Sequence, residues 1–357
     1  MTAERAAPRY RIACAEALAR LGDFDALIDT RSESEFAEDH LPGAINCPVL
    51  NDAERARVGT IYAQQSPFAA RRVGASLAAR NIATQLEQRF ATLPGTWRPL
   101  VYCWRGGERS GALTHVLERV GWRARQLEGG YRAFRRLVLD ALDVLPAGFQ
   151  LRVICGPTGS GKSRLLRALG QAGVQVLDLE ELAQHRGSLL GGLPQALQPS
   201  QKRFETLIWW ALRGFDPARP VYVESESRKI GNLRVPTALI ERMRASPCWR
   251  IELPLAERVR LLREEYEHFE RNPSELMTPL DGLAPLHGHA HVGRWKELAD
   301  AEDWDPLVEA LLTQHYDPAY TRSIQRNFAQ VDKATPVRIG RADAAEYAAV
   351  AQALAAH

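Results

Sequence analysis

Lysine is scarce in this sequence: only Lys162, Lys202, Lys229, Lys296 and Lys333 occur, and arginine supplies every other fixed positive charge. Arginine suits planar, bidentate contacts with phosphate, so a polyanionic partner is permitted. A net charge of +3 and a pI near 8.6 are too mild to demand one. No apolar run approaches the ~20 residues of a membrane span, and Met1–Ala15 lacks the apolar core of a secretion signal. These absences predict a cytoplasmic protein with no membrane partner. The five cysteines, Cys14, Cys47, Cys103, Cys155 and Cys248, are odd in number and form no CxxC pair. That argues against a disulfide frame or a zinc knuckle and predicts free thiols. Internal repeats and low-complexity segments are also missing. What remains is a chain of 357 residues, 45% apolar and 25% charged, which is globular in composition and longer than one ordinary core. Two domains are therefore expected.

The stretch Cys103-Trp104-Arg105-Gly106-Gly107-Glu108-Arg109-Ser110 follows the apolar run Pro99–Tyr102 and precedes apolar positions at helical spacing from Gly111 to Val120. A thiol is thus placed where a strand becomes a helix. Gly106 and Gly107 let the backbone curl so that amides point at one centre, and the helix starting near Ser110 adds its positive end. Arg105 and Arg109 bring charge to the same centre and favour a thiolate at Cys103. The pattern predicts a nucleophile facing an oxyanion.

Ahead of it, Ala26–Asp29 reads as a buried strand, Ser32 caps a short acidic helix, and His40–Pro48 is a turn entering another strand with Cys47 packed. From Asp52 to about Leu93, Val58, Ile61, Tyr62, Phe68, Val73, Leu77, Ile82, Leu86 and Phe90 recur at helical steps. Arg55, Arg57, Arg71, Arg72 and Arg80 stud this insert, as a solvated face or as contacts to a phosphate backbone. Ala124–Leu127 gives a short strand, and Gly129-Gly130 turns into a helix from Tyr131 to Leu142. The order predicts an open parallel sheet with its active loop at a strand end.

Asp143–Phe149 is a connector too short for a free tether. The strand Leu151–Cys155 then runs into Gly156-Pro157-Thr158-Gly159-Ser160-Gly161-Lys162-Ser163, the pattern GxxxxGK[ST] in its strand-to-helix setting. Backbone amides freed by Gly156, Gly159 and Gly161, with Ser160, wrap a di- or triphosphate; Lys162 neutralises it, and the Ser163 hydroxyl can ligate magnesium. Two later strands end in acids. Asp178 reads either as a ligand contact or as a helix cap. Glu224 and Glu226 alternate on one face and are candidates to complete a magnesium shell or orient a nucleophile, with Asp178, Arg186 and Arg228 as further candidates around the site. The helix around Leu255–Phe269 reads as solvated packing. Trp209 and Trp210 read as packed, and Trp295–Ala356 as helices covering the sheet. Tyr316–Tyr320 reads as a helix junction. His287, His289 and His291 have no nearby acid or cysteine to complete a metal set and are left without a role.

Asp29-Thr30-Arg31, Glu35-Phe36, His40–Asn46, the Cys103 loop and Leu127–Tyr131 together resemble a rhodanese domain, in which the matching cysteine carries a transferable chalcogen. Sulfurtransferase rhodaneses place the loop arginine five residues after the cysteine. Arg109 lies six after Cys103, which resembles the wider, phosphate-sized loop of rhodanese-fold phosphatases. The whole chain resembles the tRNA 2-selenouridine synthase family. Val58–Tyr62 with Gln65–Phe68, Asp178–Glu180 with His185-Arg186-Gly187-Ser188, and Glu224–Gly231 carry that likeness beyond the two loops.

The expected fold class is α/β: a rhodanese-like parallel-sheet domain over 12–142 with a helical insert at about 52–93, and a P-loop NTPase-like domain over 149–357 with a helical C-terminal extension. The resemblance implies exchange of sulfur for selenium on 2-thiouridine at the tRNA wobble position, in the anticodon arm. Selenophosphate is the implied donor, with an S-geranyl intermediate made from geranyl diphosphate, and a monomer is expected. Cys103 and its loop would handle selenium, and Gly156–Ser163 the diphosphate. No tightly bound cofactor is implied. Trp104 reads as core packing rather than housing for the geranyl chain. Two other readings stay open on the residues alone: a rhodanese-fold phosphatase fused to a kinase, and an ATPase governed by a noncatalytic rhodanese module.

Overall fold

The computed structural model describes residues 10–186 and 197–356. These divide into two compact units, one up to Ala141 together with Glu205–Leu207, the other from Leu142 to Phe204 and from Ile208 onward. Gly187, Ser188, Gly191 and Gly192 lie outside the described residues. No helix among the described residues is long and apolar enough to cross a membrane.

The first unit is built on strands β1 (Arg11–Ile12), β2 (Ala26–Asp29), β3 (Ala44–Asn46), β4 (Pro99–Tyr102) and β5 (Arg125–Leu127), in the order β1-β5-β4-β2-β3 with every pairing parallel. Helices α1 (Cys14–Ala19), α2 (Glu33–Glu38), α3 (Asp52–Gln64), α4 (Pro67–Gln85), α5 (Glu108–Val120) and α6 (Gly130–Val144) connect and flank them. A parallel sheet needs such crossovers, which cover its faces; all four residues of β4 are buried accordingly. Ile28, Val101, Leu113, Leu117, Phe90 and Trp97 share one apolar cluster, so β2, β4, α5 and the end of the insert make a single core.

Sequence periodicity overreached in the insert. Tyr62 is 62% exposed and Phe68 69%, because α3 and α4 pack on each other through small contacts such as Gly74 against Val58. All five insert arginines face solvent. The connector is short and carries helical turns of its own. α6 runs to Val144, two residues past the expected Leu142, and a 3-10 turn follows over Leu145–Gly148.

In the second unit, β6 (Leu151–Cys155), β7 (Gln175–Leu177), β8 (Val221–Glu224), β11 (Cys248–Glu252) and β12 (Thr335–Arg338) form a parallel sheet in the order β12-β11-β6-β8-β7, while β9 (Lys229–Ile230) and β10 (Leu233–Arg234) make a separate antiparallel pair. Its helices are α7 (Lys162–Gln171), α8 (Leu179–Ala183), α9 (Gln201–Gly214), α10 (Thr237–Ala245) and α11 (Leu255–Glu265). A run of short helices follows: α12 (Glu267–Arg271), α13 (Ser274–Asp281), α14 (Ala284–His287), α15 (His289–Asp300), α16 (Trp304–Leu311) and α17 (Asp317–Asn327), with α18 (Ala344–Ala355) last. The tail is therefore not all helix. β12 adds an edge strand, where Pro336 is tolerated because one side of the strand has no ladder to supply. Trp209 is buried, but its neighbour Trp210 is 39% exposed. The architecture as a whole is the expected α/β pair of parallel sheets.

Candidate functional site

The residues between Tyr102 and Glu108 fold over the Cys103 thiol. Sγ accepts the Gly107 amide at 3.3 Å and the Ser110 hydroxyl at 3.2 Å. Helix α5 begins at Glu108 with Gly107 as its N-cap, two residues earlier than predicted. The Gly107 amide is thereby one of the donors that a helix start leaves without an internal acceptor. Two donors thus converge on one sulfur. Cys103 is only 4% exposed, so the sulfur lies at the floor of the loop rather than on its rim.

The two arginines divide. Arg105 is exposed, whereas the Arg109 guanidinium pairs with the Glu35 carboxylate at 2.7 and 3.3 Å. Burial pushes the Glu35 carboxyl up, but hydrogen bonds and charge from Arg109, with Ser32, outweigh it and hold the group below its ordinary value. Part of the charge expected at the sulfur is thus answered by Glu35. This residue also closes the capping box of α2, and that fixes it opposite the loop.

The loop is gripped from beneath. Gln126, 1% exposed on β5, places Nε2 at 2.9 Å from Gly106 O, 3.0 Å from Gly107 O and 2.9 Å from Ser110 Oγ. The first amides of α6 take the loop carbonyls, Tyr131 N to Cys103 O at 2.8 Å and Arg132 N to Trp104 O at 2.9 Å. This approach needs glycine at 130, where φ is +55° and a Cβ would overlap Cys103 O.

The phosphate-binding pattern lies between β6 and α7. Lys162 Nζ donates to Gly156 O at 2.9 Å and closes the loop on itself. Gly161 has φ +76°, and a Cβ there would overlap the Tyr347 hydroxyl. Arg258 holds the loop from behind: Nε and Nη2 lie 3.0 and 2.7 Å from Thr158 O, and the same guanidinium meets Asp317 at 3.0 and 2.6 Å. Tyr320 accepts the Gly156 amide at 2.7 Å. In front of the loop is a cavity of about 560 Å³, whose lining includes Gly159, Lys162, Ser163, Asp178, Glu226 and Arg186.

Acids crowd this cavity. Ser163 Oγ donates to Glu180 Oε2 at 2.8 Å, and Glu224 Oε1 accepts the Glu180 amide at 2.8 Å. Burial, then the negative charge of Glu180, raises the Glu226 carboxyl to about 8, although Lys162 opposes the rise. Burial likewise raises Asp178 to about 6, and Glu224, buried beside Asp178 and Glu180, is raised well above its ordinary value. No group of three or more His, Cys, Asp or Glu among the described residues is arranged to hold a metal ion.

The family model described as a rhodanese-like domain matches residues 13–137, and that described as the tRNA 2-selenouridine synthase AAA domain matches residues 149–278. The chain is 34% identical over 339 residues to the tRNA 2-selenouridine synthase of Cupriavidus necator, covering 86% of this chain and 90% of that one. The chain belongs to the tRNA 2-selenouridine synthase family. Other members give the same picture. The Hydrogenovibrio crunogenus synthase is 32% identical over 338 residues, 86% of this chain and 91% of that one. The Nitrosomonas europaea synthase is 38% identical over 244 residues, 67% of this chain and 63% of its own length. This is an enzyme family, and the two family-model matches on this chain fall one on each of its two units.

Of the residues singled out in the sequence, Cys103, Gly106, Gly107 and Ser110 form one cradle, with Arg109 turned to Glu35. Gly159, Gly161, Lys162, Ser163, Asp178, Arg186 and Glu226 line the second. Asp178 lines the cavity, and its Oδ1 caps α8 by accepting Glu181 N at 2.8 Å. Arg186 lies over the Tyr266 ring at 4.8 Å. Glu224 is set beneath the cavity, behind Glu180, rather than sharing its face with Glu226, because β8 ends at Glu224 and the strict alternation ends with it. Arg228 is exposed and does not line the cavity. The three histidines lie in α14 and α15; His287 lies 2.9 Å from His315, His291 lies 2.6 Å from Gln314, and His289 is exposed. Sequence reasoning missed Gln126, Glu35, Asp317 and Tyr320 as supporting residues and read Arg258 as part of a solvated helix, though it is 7% exposed. A buried-side periodicity through Arg258, Val259, Leu261 and Leu262 was the available signal.

Proposed function

We propose that this chain replaces sulfur by selenium on 2-thiouridine at the wobble position of tRNA, using selenophosphate, through an S-geranyl intermediate made from geranyl diphosphate. Kinship with the synthases supports the tRNA substrate. The observation that carries the division of labour is the presence of two separate anion cradles, one closed over a thiol and one over a lysine.

In the first step the thione sulfur attacks the carbon bearing the diphosphate, forming a C–S bond as the C–O bond breaks and diphosphate leaves. The amides of Gly159, Gly161, Lys162 and Ser163, with the Lys162 ammonium, bind that leaving group and stabilise its growing charge. Ser163 is the residue that would ligate a magnesium ion, which would supply further neutralisation of the diphosphate. In the second step the selenium of selenophosphate attacks carbon 2, forming a C–Se bond as the C–S bond breaks and geranyl thiol departs; water then cleaves the Se–P bond, releasing phosphate and leaving selenium on carbon 2. S-alkylation makes this possible because a neutral thiol leaves where a thione sulfur does not. The Cys103 loop, with Arg105 exposed at its mouth, is assigned to selenophosphate and its selenium.

The test is mass spectrometry of nucleosides from 2-thiouridine tRNA incubated with the protein, selenophosphate and geranyl diphosphate, each omitted in turn. Cys103→Ala is expected to abolish selenation and keep geranylation, and Lys162→Ala to depress geranylation first. Equal loss of both steps in Cys103→Ala would refute the division.

A further inference from the structure

Beside the phosphate cavity lies a second, apolar one. Thr158, Leu262, Tyr266 and Tyr316 line both, so the two share a wall that starts at the phosphate-binding loop itself. The slot exists because two apolar clusters meet there without merging. Leu262 and Leu312 belong to one cluster, and Leu276, Leu307 and Leu311 to another, organised around the buried Trp295. Phe269, Trp304 and Val308 complete the lining.

The charged side chains at its edge are committed to each other. Arg263 meets Glu270 at 2.8 and 3.1 Å, with a further bond to Asp305 at 2.9 Å. A nucleotide base placed in the slot would bury ring nitrogens and exocyclic groups against hydrocarbon, at a cost that unpaired polar groups always carry. A hydrocarbon loses nothing there and gains by leaving water. An anion cradle joined to such a slot suits an amphiphile with a diphosphate head.

We propose that this slot receives the hydrocarbon tail of a prenyl diphosphate whose head is held by the Gly156–Ser163 loop, and that Leu276, Trp304 and Val308 set the chain length accepted. The proposal rests on the diphosphate reading of that loop given above. It assigns the tail to residues of the second unit and not to Trp104, whose ring packs 5.4 Å from that of Tyr131.

The test is calorimetric binding to the full chain of pyrophosphate, dimethylallyl, geranyl and farnesyl diphosphates, and ATP. Geranyl diphosphate is expected to bind the wild type about tenfold or more tighter than pyrophosphate, from burial of its methylene and methyl groups. Val308→Trp fills the slot from a half-buried position; it should erase that advantage while pyrophosphate affinity stays within about twofold. Retained pyrophosphate binding also reports that the variant is folded. Leu276→Ala, which enlarges the slot, should shift preference toward farnesyl diphosphate. A geranyl advantage untouched by both variants would place the tail elsewhere and overturn the inference, with the diphosphate reading left standing. No geranyl advantage in the wild type, with pyrophosphate still bound, would overturn the inference alone; failure of both pyrophosphate and geranyl diphosphate to bind would overturn the diphosphate reading. ATP binding that Val308→Trp blocks would show the slot to be a base site and overturn the proposal.

Discussion

Replacing Gln126 by leucine removes the amide that holds the Cys103 loop closed. An amide nitrogen carries two hydrogens for its three neighbours, Gly106 O, Gly107 O and Ser110 Oγ, so about two full hydrogen bonds are lost. Gly107 O keeps the Gly111 amide at 2.9 Å, which leaves Gly106 O as the carbonyl that suffers most. A buried acceptor stripped of its donor costs about 1–3 kcal/mol, and the bond to Ser110 adds about 1 kcal/mol. One term opposes these. Gln126 Oε1 is buried with no partner among the described residues, and leucine removes that unsatisfied atom too. The net loss is about 1–3 kcal/mol. Gln126→Glu should be worse, because a carboxylate would face two carbonyl oxygens. The assay is urea unfolding together with the rate of iodoacetamide labelling at Cys103, followed by peptide mass spectrometry. Labelling should accelerate about tenfold as the loop opens more often, since each ~1.4 kcal/mol is a factor of ten in the open population. Stability changed by less than about 0.5 kcal/mol, with labelling unaltered, would show that Gln126 does not hold the loop.

Three other perturbations follow from the same geometry. Arg258→Met strips Thr158 O of its donor and leaves the partly exposed Asp317 to water, so it should cost about 1–3 kcal/mol in thermal unfolding and weaken pyrophosphate binding; Arg258→Lys should recover only part, because an ammonium cannot serve both partners in bidentate fashion. Gly130→Ala forces a methyl into Cys103 O and should abolish selenation while calorimetry finds pyrophosphate binding intact. For pH, Glu226 is raised to about 8 from 4.5, so the folded state retains a proton that the unfolded chain has released; stability contributed there falls as pH rises between those values. Glu226→Gln should therefore gain on the wild type at pH 9 and lose that gain toward pH 5, with a shallower slope surviving from Asp178, raised to about 6. Parallel melting-temperature profiles for the two proteins would count against the assignment.

What the sequence determined by itself is local. A strand running into glycine, lysine and serine at set intervals shapes the Gly156–Ser163 loop from contiguous residues, and Ser32 with Glu35 closes a capping box within one turn. The strands β2, β4 and β6 were legible for the same reason, as short apolar runs between breakers. Tertiary structure decided what those loops lean on. Gln126 lies 20 residues from Gly106, Glu35 lies 74 from Arg109, and Arg258 lies 100 from Thr158 and 59 from Asp317. No periodicity encodes such pairings, since each depends on which strand ends neighbour one another in a sheet ordered β1-β5-β4-β2-β3 or β12-β11-β6-β8-β7. Tyr62 and Phe68 make the same point from the other side: helical spacing marks a face that could be buried, but only packing supplies the surface that buries it.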